Sequence, residues 1–346
     1  GDGLAMASRA GIPLQDMEFF QFHPTGIFPA GILVTEGCRG DGGLLLDGNK
    51  HRFMPDYEPE KKELASRDVV SRRMEEHIAA GHAASSRFGD HLWLDIRLLG
   101  ESHINGKLRE VKEICQHFLG VDPARELIPV KPAQHYSMGG VRTDPTGHSP
   151  QLRGLFAVGE AACWDMHGFN RLGGNSVAET VVAGMIVGES IADFCQSNDG
   201  QLSMSTTLAS DFINREALGL NAIANNPGRE SAVELTRLMQ ETMTEKVGIF
   251  RHGDSLKEAV GILQELQRRA ANIGLRHASA GPNPELVAAY RLPRMLKLAL
   301  CVAVGALART ESRGAHFRAD FPRRDDQAWL KRTLARWPDA ADEQPS

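Results

Sequence analysis

The sequence predicts an α/β region followed by a bundle of helices, and three observations carry that prediction. Two adjacent glycines, Gly173 and Gly174, open a long apolar segment over 177–194, the pattern of a helix entered through a tight turn. Short β-compatible runs recur earlier and nearby, at 17–23, 32–35, 92–96 and 154–158. From Leu202 onward the signals turn helical. Ser231-x-x-Glu234 and Ser255-x-x-Glu258 are capping boxes, and Asn283-Pro284-Glu285 is an N-cap followed by proline.

A chain of 346 residues is long enough for about two domains. Its net charge of −5 gives no reason to expect nucleic-acid binding. The five cysteines are scattered without a C-x-x-C pair, so no zinc or iron–sulfur site and no other metal is expected from this chain. No signal peptide and no apolar run of about 18 residues is present.

Gly1-Asp2-Gly3 reads as a turn into a short helix over 4–10, ended by Gly11 and Pro13. The strand over 17–23 ends at His23-Pro24-Thr25-Gly26, where Pro24 holds His23 extended. Thr35, Glu36 and Arg39 lie between an apolar strand and a glycine cluster, and Glu36 with Arg39 has the plain reading of a surface ion pair. Asp47-Gly48-Asn49 is a hairpin turn signal. A helix follows with Ser66 or Asp68 as its cap. Arg67 stands at its start, where a cation opposes the helix dipole; a solvated arginine is the plain reading. One helix is expected over 104–118, and Ile128-Pro129-Val130 is short and extended. His135 and Tyr136 precede Gly139 and Gly140, a pair that lets backbone approach a flat ligand. Residues 154–160 read as a buried strand ending in Gly159-Glu160. Asn175 and Ser176 are good N-caps, and a helix start offers free N–H groups to an anion or an electron-rich ring edge. Arg171 stands just ahead, suited to a bidentate carboxylate grip. Pro293 should kink the last helix, over 284–309, and its apolar 298–308 stretch should be buried.

The stretch His167-Gly-Phe-Asn-Arg-Leu-Gly-Gly-Asn-Ser176 resembles the flavin-site signature of the flavoprotein subunits of fumarate reductases and succinate dehydrogenases. Further matches run along nearly the whole chain: Gln21-Phe-His-Pro-Thr-Gly26, Thr35-Glu-Gly-Cys-Arg-Gly40, Ser66-Arg-Asp68, Gln134-His-Tyr-Ser-Met-Gly-Gly140 and Glu311-Ser-Arg-Gly-Ala-His-Phe-Arg-Ala-Asp-Phe-Pro322. The fuller pattern around Cys163-Trp164-Asp165 most resembles menaquinol-linked respiratory fumarate reductases.

The resemblance implies an α/β FAD-binding domain with an inserted α+β capping domain, followed by an α-helical domain. The implied bounds are 1–23 and 135–200 for the FAD domain, 24–134 for the cap, 201–312 for the helical domain and 313–346 for a tail. Joints near 23–26 and 131–134 would let the cap close. It implies FAD as cofactor, with Asp2, Tyr136, Glu160, Gly174, Asn175, Ser176 and Val177 around it. It implies His23, Thr35, His135 and Arg171 as substrate ligands. Arg67 would be the proton donor, reloaded through Glu36 and Arg39. The implied reaction interconverts fumarate and succinate. The implied partners are an iron–sulfur subunit and, through the complex, a membrane quinone-binding subunit. The implied location is peripheral, on the cytoplasmic face of the inner membrane. No G-x-G-x-x-G fingerprint occurs, so the resemblance reads the chain as the C-terminal part of a longer flavoprotein. L-Aspartate oxidase is a rival reading, which Gly37-Cys38 and the arginine-rich tail disfavour. A fragment without FAD that only docks partners is another.

Overall fold

The computed structural model describes residues 1–197, 205–277, 281–339 and 342–346. The expected boundary at 200–201 and the switch at Leu202 lie outside the described residues. Contacts divide the chain into two compact units. Unit 1 comprises Gly1–Phe19, Ser137–Gly168 and Asn175–Ser346; unit 2 comprises Phe20–Tyr136 and Phe169–Gly174.

Unit 1 starts with α1 (Asp2–Arg9), which carries an acid in its first turn and an arginine in its last, and β1 (Leu14–Gln15). Residues 17–19 do not join a strand: Asp16 sits at φ 55° and the Phe19 N–H returns to the Asp16 carbonyl. The strand expected over 17–23 therefore begins only at Phe20.

The chain then enters unit 2 through β2 (Phe20–Ile27), β3 (Ile32–Leu33), α2 (Gly37–Gly40), β4 (Leu44–Leu46) and α3 (Met54–Tyr57). Next come α4 (Arg67–His77), β5 (Ala84–Ser86), β6 (Gly89–Asp95), α5 (Glu101–Lys107), α6 (Arg109–Leu119) and β7 (Ile128–Ser137). Its sheet runs β3-β2-β7-β6-β4, with β5 hydrogen-bonded to β6. Leu92 and Leu94 face Val130 and Ile128 across an antiparallel ladder, so one set of aliphatic side chains feeds a single core with Val70 and Met74 of α4. Pro24 does not end β2, since its φ suits extended backbone and the strand continues to Ile27. At Gly26 a Cβ would lie 2.6 Å from that of Ala133, so β2 approaches β7 closely only because a glycine stands there. Both expected joints, 23–26 and 131–134, are thus strand. The single helix expected over 104–118 is two helices, broken at Leu108 (φ −118°, ψ 28°) just after the poor helix formers Asn105 and Gly106.

Returning to unit 1, β8 (Gly140–Arg142) and β9 (Ala162–Cys163) pair in parallel. With β1 and β10 (Leu334–Ala335) they make a sheet of order β10-β1-β8-β9. The strand expected over 154–160 is not a ladder. It reduces to one bridge, Phe156 to His148, held between positive-φ Gly154 and Gly159, and its side chains are half-buried. The helices are α7 (Asn175–Gln196), α8 (Thr206–Ala224), α9 (Ala232–Lys246), α10 (Gly253–Ala270), α11 (Pro284–Ala308) and the short α12 (Asp326–Trp329). Ser231 caps α9 by accepting from Glu234 N at 3.4 Å, and Asn283 caps α11. The cap of α10 is His252, not Ser255: its ring nitrogen accepts from Asp254 N, and the helix starts one turn early. Leu256, Leu263, Leu292, Leu296, Leu300 and Ala303 interlock α10 with α11 in the main core. No helix among the described residues is long and apolar enough to cross a membrane.

After α11, Arg309, Glu311, Arg313, His316 and Arg318 are buried in unit 1. Arg309 pairs with Glu18 at 2.8 Å and Glu311 at 3.0 Å, and Arg313 pairs with Glu311 at 2.7 Å. Arg318 donates to the last carbonyls of α11, those of Ala306 and Leu307. Buried pairs of this kind add little net energy but fix where a segment lies.

Candidate active site

Strand alternation sets the site in unit 2. Gln21, His23 and Thr25 lie on one face of β2 and are buried. Thr25 N donates to His23 Nδ1 at 3.2 Å, so a neutral His23 carries its proton on Nε2. The His135 ring, on neighbouring β7, stands edge-on to His23 at 5.3 Å between centroids. Arg171 lies on the Phe169–Gly174 segment of the same unit. A guanidinium only donates, so its Nη2, 2.6 Å from His135 Nε2, makes that nitrogen the acceptor. The Arg171 guanidinium also covers the Tyr136 ring at 4.5 Å.

Arg67 is the first residue of α4, and Ser66 stands at its N-cap without a side-chain capping bond. A carboxylate offsets the unfavourable dipole position: Arg67 Nε donates to Glu36 Oε2 at 2.7 Å. Arg67 Nη1 reaches Gln21 Oε1 at 3.3 Å. Gln21 Nε2 donates to the Arg171 carbonyl at 2.7 Å and to Asn170 Oδ1 at 2.5 Å, and Asn170 Nδ2 donates to Asp68 at 3.0 Å. Arg39, on α2, is 2% exposed and donates to the Glu63 carbonyl. Its Nε and Nη2 have no hydrogen-bond partner among the described residues. Thr35 is exposed, and its hydroxyl accepts from Gly37 N at 3.2 Å.

The electrostatics are those of a cation-rich pocket wall. Burial, then Arg67, Arg39, His135 and Arg171, hold His23 down at about 2. Burial, then Arg171 and Arg67, hold His135 at about 4. Burial lowers Arg39 as well, with Glu36 acting against it and Arg67 with it. Both imidazoles are therefore neutral donors or acceptors near pH 7, set among three guanidiniums. That donor set suits a ligand with two carboxylates.

The remaining expected residues lie in unit 1, apart from Gly174. Gly174 has φ +80°, and α7 follows it, with Asn175 and Ser176 half-buried and Val177 72% exposed. Glu160 is exposed and accepts from Ser137 N at 2.8 Å. His167 and Trp164 both bond Glu179 of α7, at 2.8 and 2.7 Å, which fixes the loop ahead of the helix. An open helix start beside small polar side chains fits the electron-rich edge of a flavin ring. Asp2 is exposed, with Arg291 at 3.7 Å. Asp16, Cys163 and Asp165 could together hold a metal ion, but Arg332 pairs with both carboxylates at 3.3 and 2.8 Å. Gln21, Asp68 and Asn170 were not expected as site residues. Each is one or two positions from an expected one, and for Gln21 the two-residue strand period was the available signal.

An open helix start in unit 1 and, in unit 2, a cation-rich cluster on an antiparallel sheet are each features suited to a flavoprotein oxidoreductase. The FAD binding domain family matches residues 1–177, and the fumarate reductase flavoprotein C-terminal family matches residues 236–346. The fumarate reductase flavoprotein subunit of Helicobacter pylori is 51% identical over all of this chain and 52% of its own length. The succinate dehydrogenase flavoprotein subunit of Rickettsia conorii is 41% identical over 97% of this chain and 57% of its own. The solved Escherichia coli quinol fumarate reductase chain superposes with a TM-score of 0.92 at 37% identity, over 100% of this chain and 60% of that one. The chain thus spans about half the length of these curated relatives. It belongs to the FAD-binding flavoprotein subunits of the fumarate reductase and succinate dehydrogenase family.

Proposed function

We propose that this chain carries the dicarboxylate site and part of the flavin site of an enzyme that interconverts fumarate and succinate. One observation carries the reading: Arg39, Arg67 and Arg171 converge with neutral His23 and His135 in unit 2. FAD, when bound, supplies the hydride chemistry. Asn175, Ser176 and the α7 backbone, with Glu160 and Asp2, are the residues of unit 1 that would hold it. Arg171, His135, His23 and Thr35 grip the two carboxylates and orient the double bond. Arg67 gives the proton to the substrate carbon in the reductive direction. Glu36, 2.7 Å away, and Arg39 return one to it. An arginine is a weak acid, and serves here because a carbanion-like carbon is far more basic. The 24–134 segment acts as a cap in this reading. The enzyme sits peripherally on the cytoplasmic face of the inner membrane, passing electrons through an iron–sulfur subunit to a membrane quinone-binding subunit.

The test is reoxidation of the dithionite-reduced, full-length flavoprotein, followed by flavin absorbance with fumarate and, separately, oxidation of succinate and of L-aspartate. Turnover of fumarate and succinate is expected. Oxidation of L-aspartate alone would overturn the reading in favour of an aspartate oxidase.

A further inference from the structure

We infer that Asp68 and Asn170 form a clasp that sets the spacing between the proton-donating arginine and the carboxylate-gripping arginine. The inference rests on the reading of Arg67 and Arg171 given above. Arg67 and Asp68 are the first two residues of α4, whereas Asn170 and Arg171 lie on the 169–174 segment. Asn170 Nδ2 donates to Asp68 Oδ1 at 3.0 Å, across 102 residues of sequence. The Asp68 side chain is 9% exposed, and its other oxygen accepts from Arg72 at 3.0 Å.

The directions of these bonds are forced. A carboxylate only accepts, so the Asn170 nitrogen faces Asp68 and its oxygen faces Gln21. The Gln21 nitrogen bonds that oxygen at 2.5 Å and the Arg171 carbonyl at 2.7 Å, which only accepts too. Gln21 therefore presents its oxygen to Arg67 Nη1, at 3.3 Å. One closed path runs from Asp68 through Asn170 and Gln21 to Arg67, whose neighbour in sequence is Asp68 itself. The amide pair ties the donor arginine to the segment that carries the gripping one, while Arg171 is held besides by His135 and over the Tyr136 ring, so breaking the clasp releases Arg67 first. Asp68 and Asn170 act on the two arginines through these bonds and through the backbone; they are positioning residues.

Asn170→Asp sets two carboxylates against each other and breaks the clasp. Asp68→Asn combined with Asn170→Asp restores it in reverse: the new amide at 68 donates, and the carboxylate at 170 still accepts from Gln21. In the flavin-loaded full-length protein, kcat for fumarate, the malonate dissociation constant and Tm are measured for the parent, the single variant and the swap. Asn170→Asp should lose on the order of 10–100-fold in kcat, as displaced catalytic groups do. Malonate affinity should change by less than about threefold, a split that general unfolding would not give. The swap should recover kcat to within about threefold and most of the Tm. A swap no better than Asn170→Asp overturns the clasp. A swap that restores Tm but not kcat overturns the positioning role. A parent inactive with fumarate refutes the proposed reaction instead, and the clasp is then decided by whether the swap restores Tm.

Discussion

Gly173→Ala is a small change aimed at the proposed proton donor. A Cβ at Gly173 would lie 3.0 Å from Glu36 Oε2 and 3.5 Å from Arg67 Nη2. The same Glu36 oxygen accepts the 2.7 Å bond from Arg67 Nε. Gly173 is not in the left-handed region, so alanine brings no backbone strain, only a methyl pushed against the ion pair. The carboxylate must give by a few tenths of an ångström. A misplacement of about 1 Å can cost about 10²-fold in rate, so a shift of about 0.3–0.5 Å corresponds to about 4–10-fold. Stability should change little, because the methyl displaces the carboxylate slightly and removes neither partner of the pair. Single-turnover reoxidation of the reduced flavoprotein by fumarate, with malonate titration and Tm in parallel, separates these effects. A rate within twofold of the parent, at unchanged Tm, would refute the claim that Arg67–Glu36 geometry limits proton delivery.

Arg171→Lys should weaken malonate or oxaloacetate binding by about 1.5–3 kcal/mol, the worth of a charged hydrogen bond, because lysine cannot keep both the fork and the His135 contact; unchanged affinity by titration would make Arg171 structural. Arg67→Ala should lower fumarate reoxidation by at least about 10²-fold while flavin binding persists; a loss under tenfold would return the acid role to His23 or His135. Stability should fall on acidification. His23 and His135 titrate near 2 and 4 when folded but near 6.5 when unfolded, so between about 6.5 and 4 the unfolded chain holds more protons. Buried His316, also held low, acts in the same direction, while Asp16, raised to about 6, opposes them by one proton. A Tm that rose from pH 6.5 to pH 4.5 would contradict this balance.

Much of the helical half was legible because caps are local. Ser231 and Asn283 bond the N–H groups two or three residues ahead, and no distant partner is needed. Strands were less legible because a strand needs a partner elsewhere in sequence. Residues 154–160 have β-compatible composition but, among the described residues, their backbone pairs, as strands do, with the turn at 147–149 alone, and so they make a single bridge. Pro24 reads locally as a stop, yet β2 runs through it beside β7. In the site, the arginines and histidines were found through motifs, each a contiguous string. Gln21, Asp68 and Asn170 act through bonds spanning 46 to 150 residues, and no local pattern reports such bonds.

The charge balance of unit 2 bears on what the site is for. Arg52 is paired with Glu63, and Arg72 with Asp68. Arg39, Arg67 and Arg171 stand with Glu36 and two neutral imidazoles in a largely buried, cation-rich cluster. A dicarboxylate dianion carries charge opposite in sign to that cluster and matches its guanidinium donors. Binding should therefore stabilise the fold, by about 2.7 kcal/mol at a malonate concentration 100 times its dissociation constant. The dianion should also raise His135 from its low value, because a nearby negative charge favours the protonated ring. Binding then takes up protons, and affinity should increase as pH falls from about 8 to about 7, a range in which malonate stays a dianion. Isothermal titration in two buffers of different ionisation enthalpy measures that uptake directly. Binding without proton uptake would mean that the arginines, already protonated, and not the histidine, absorb the new field.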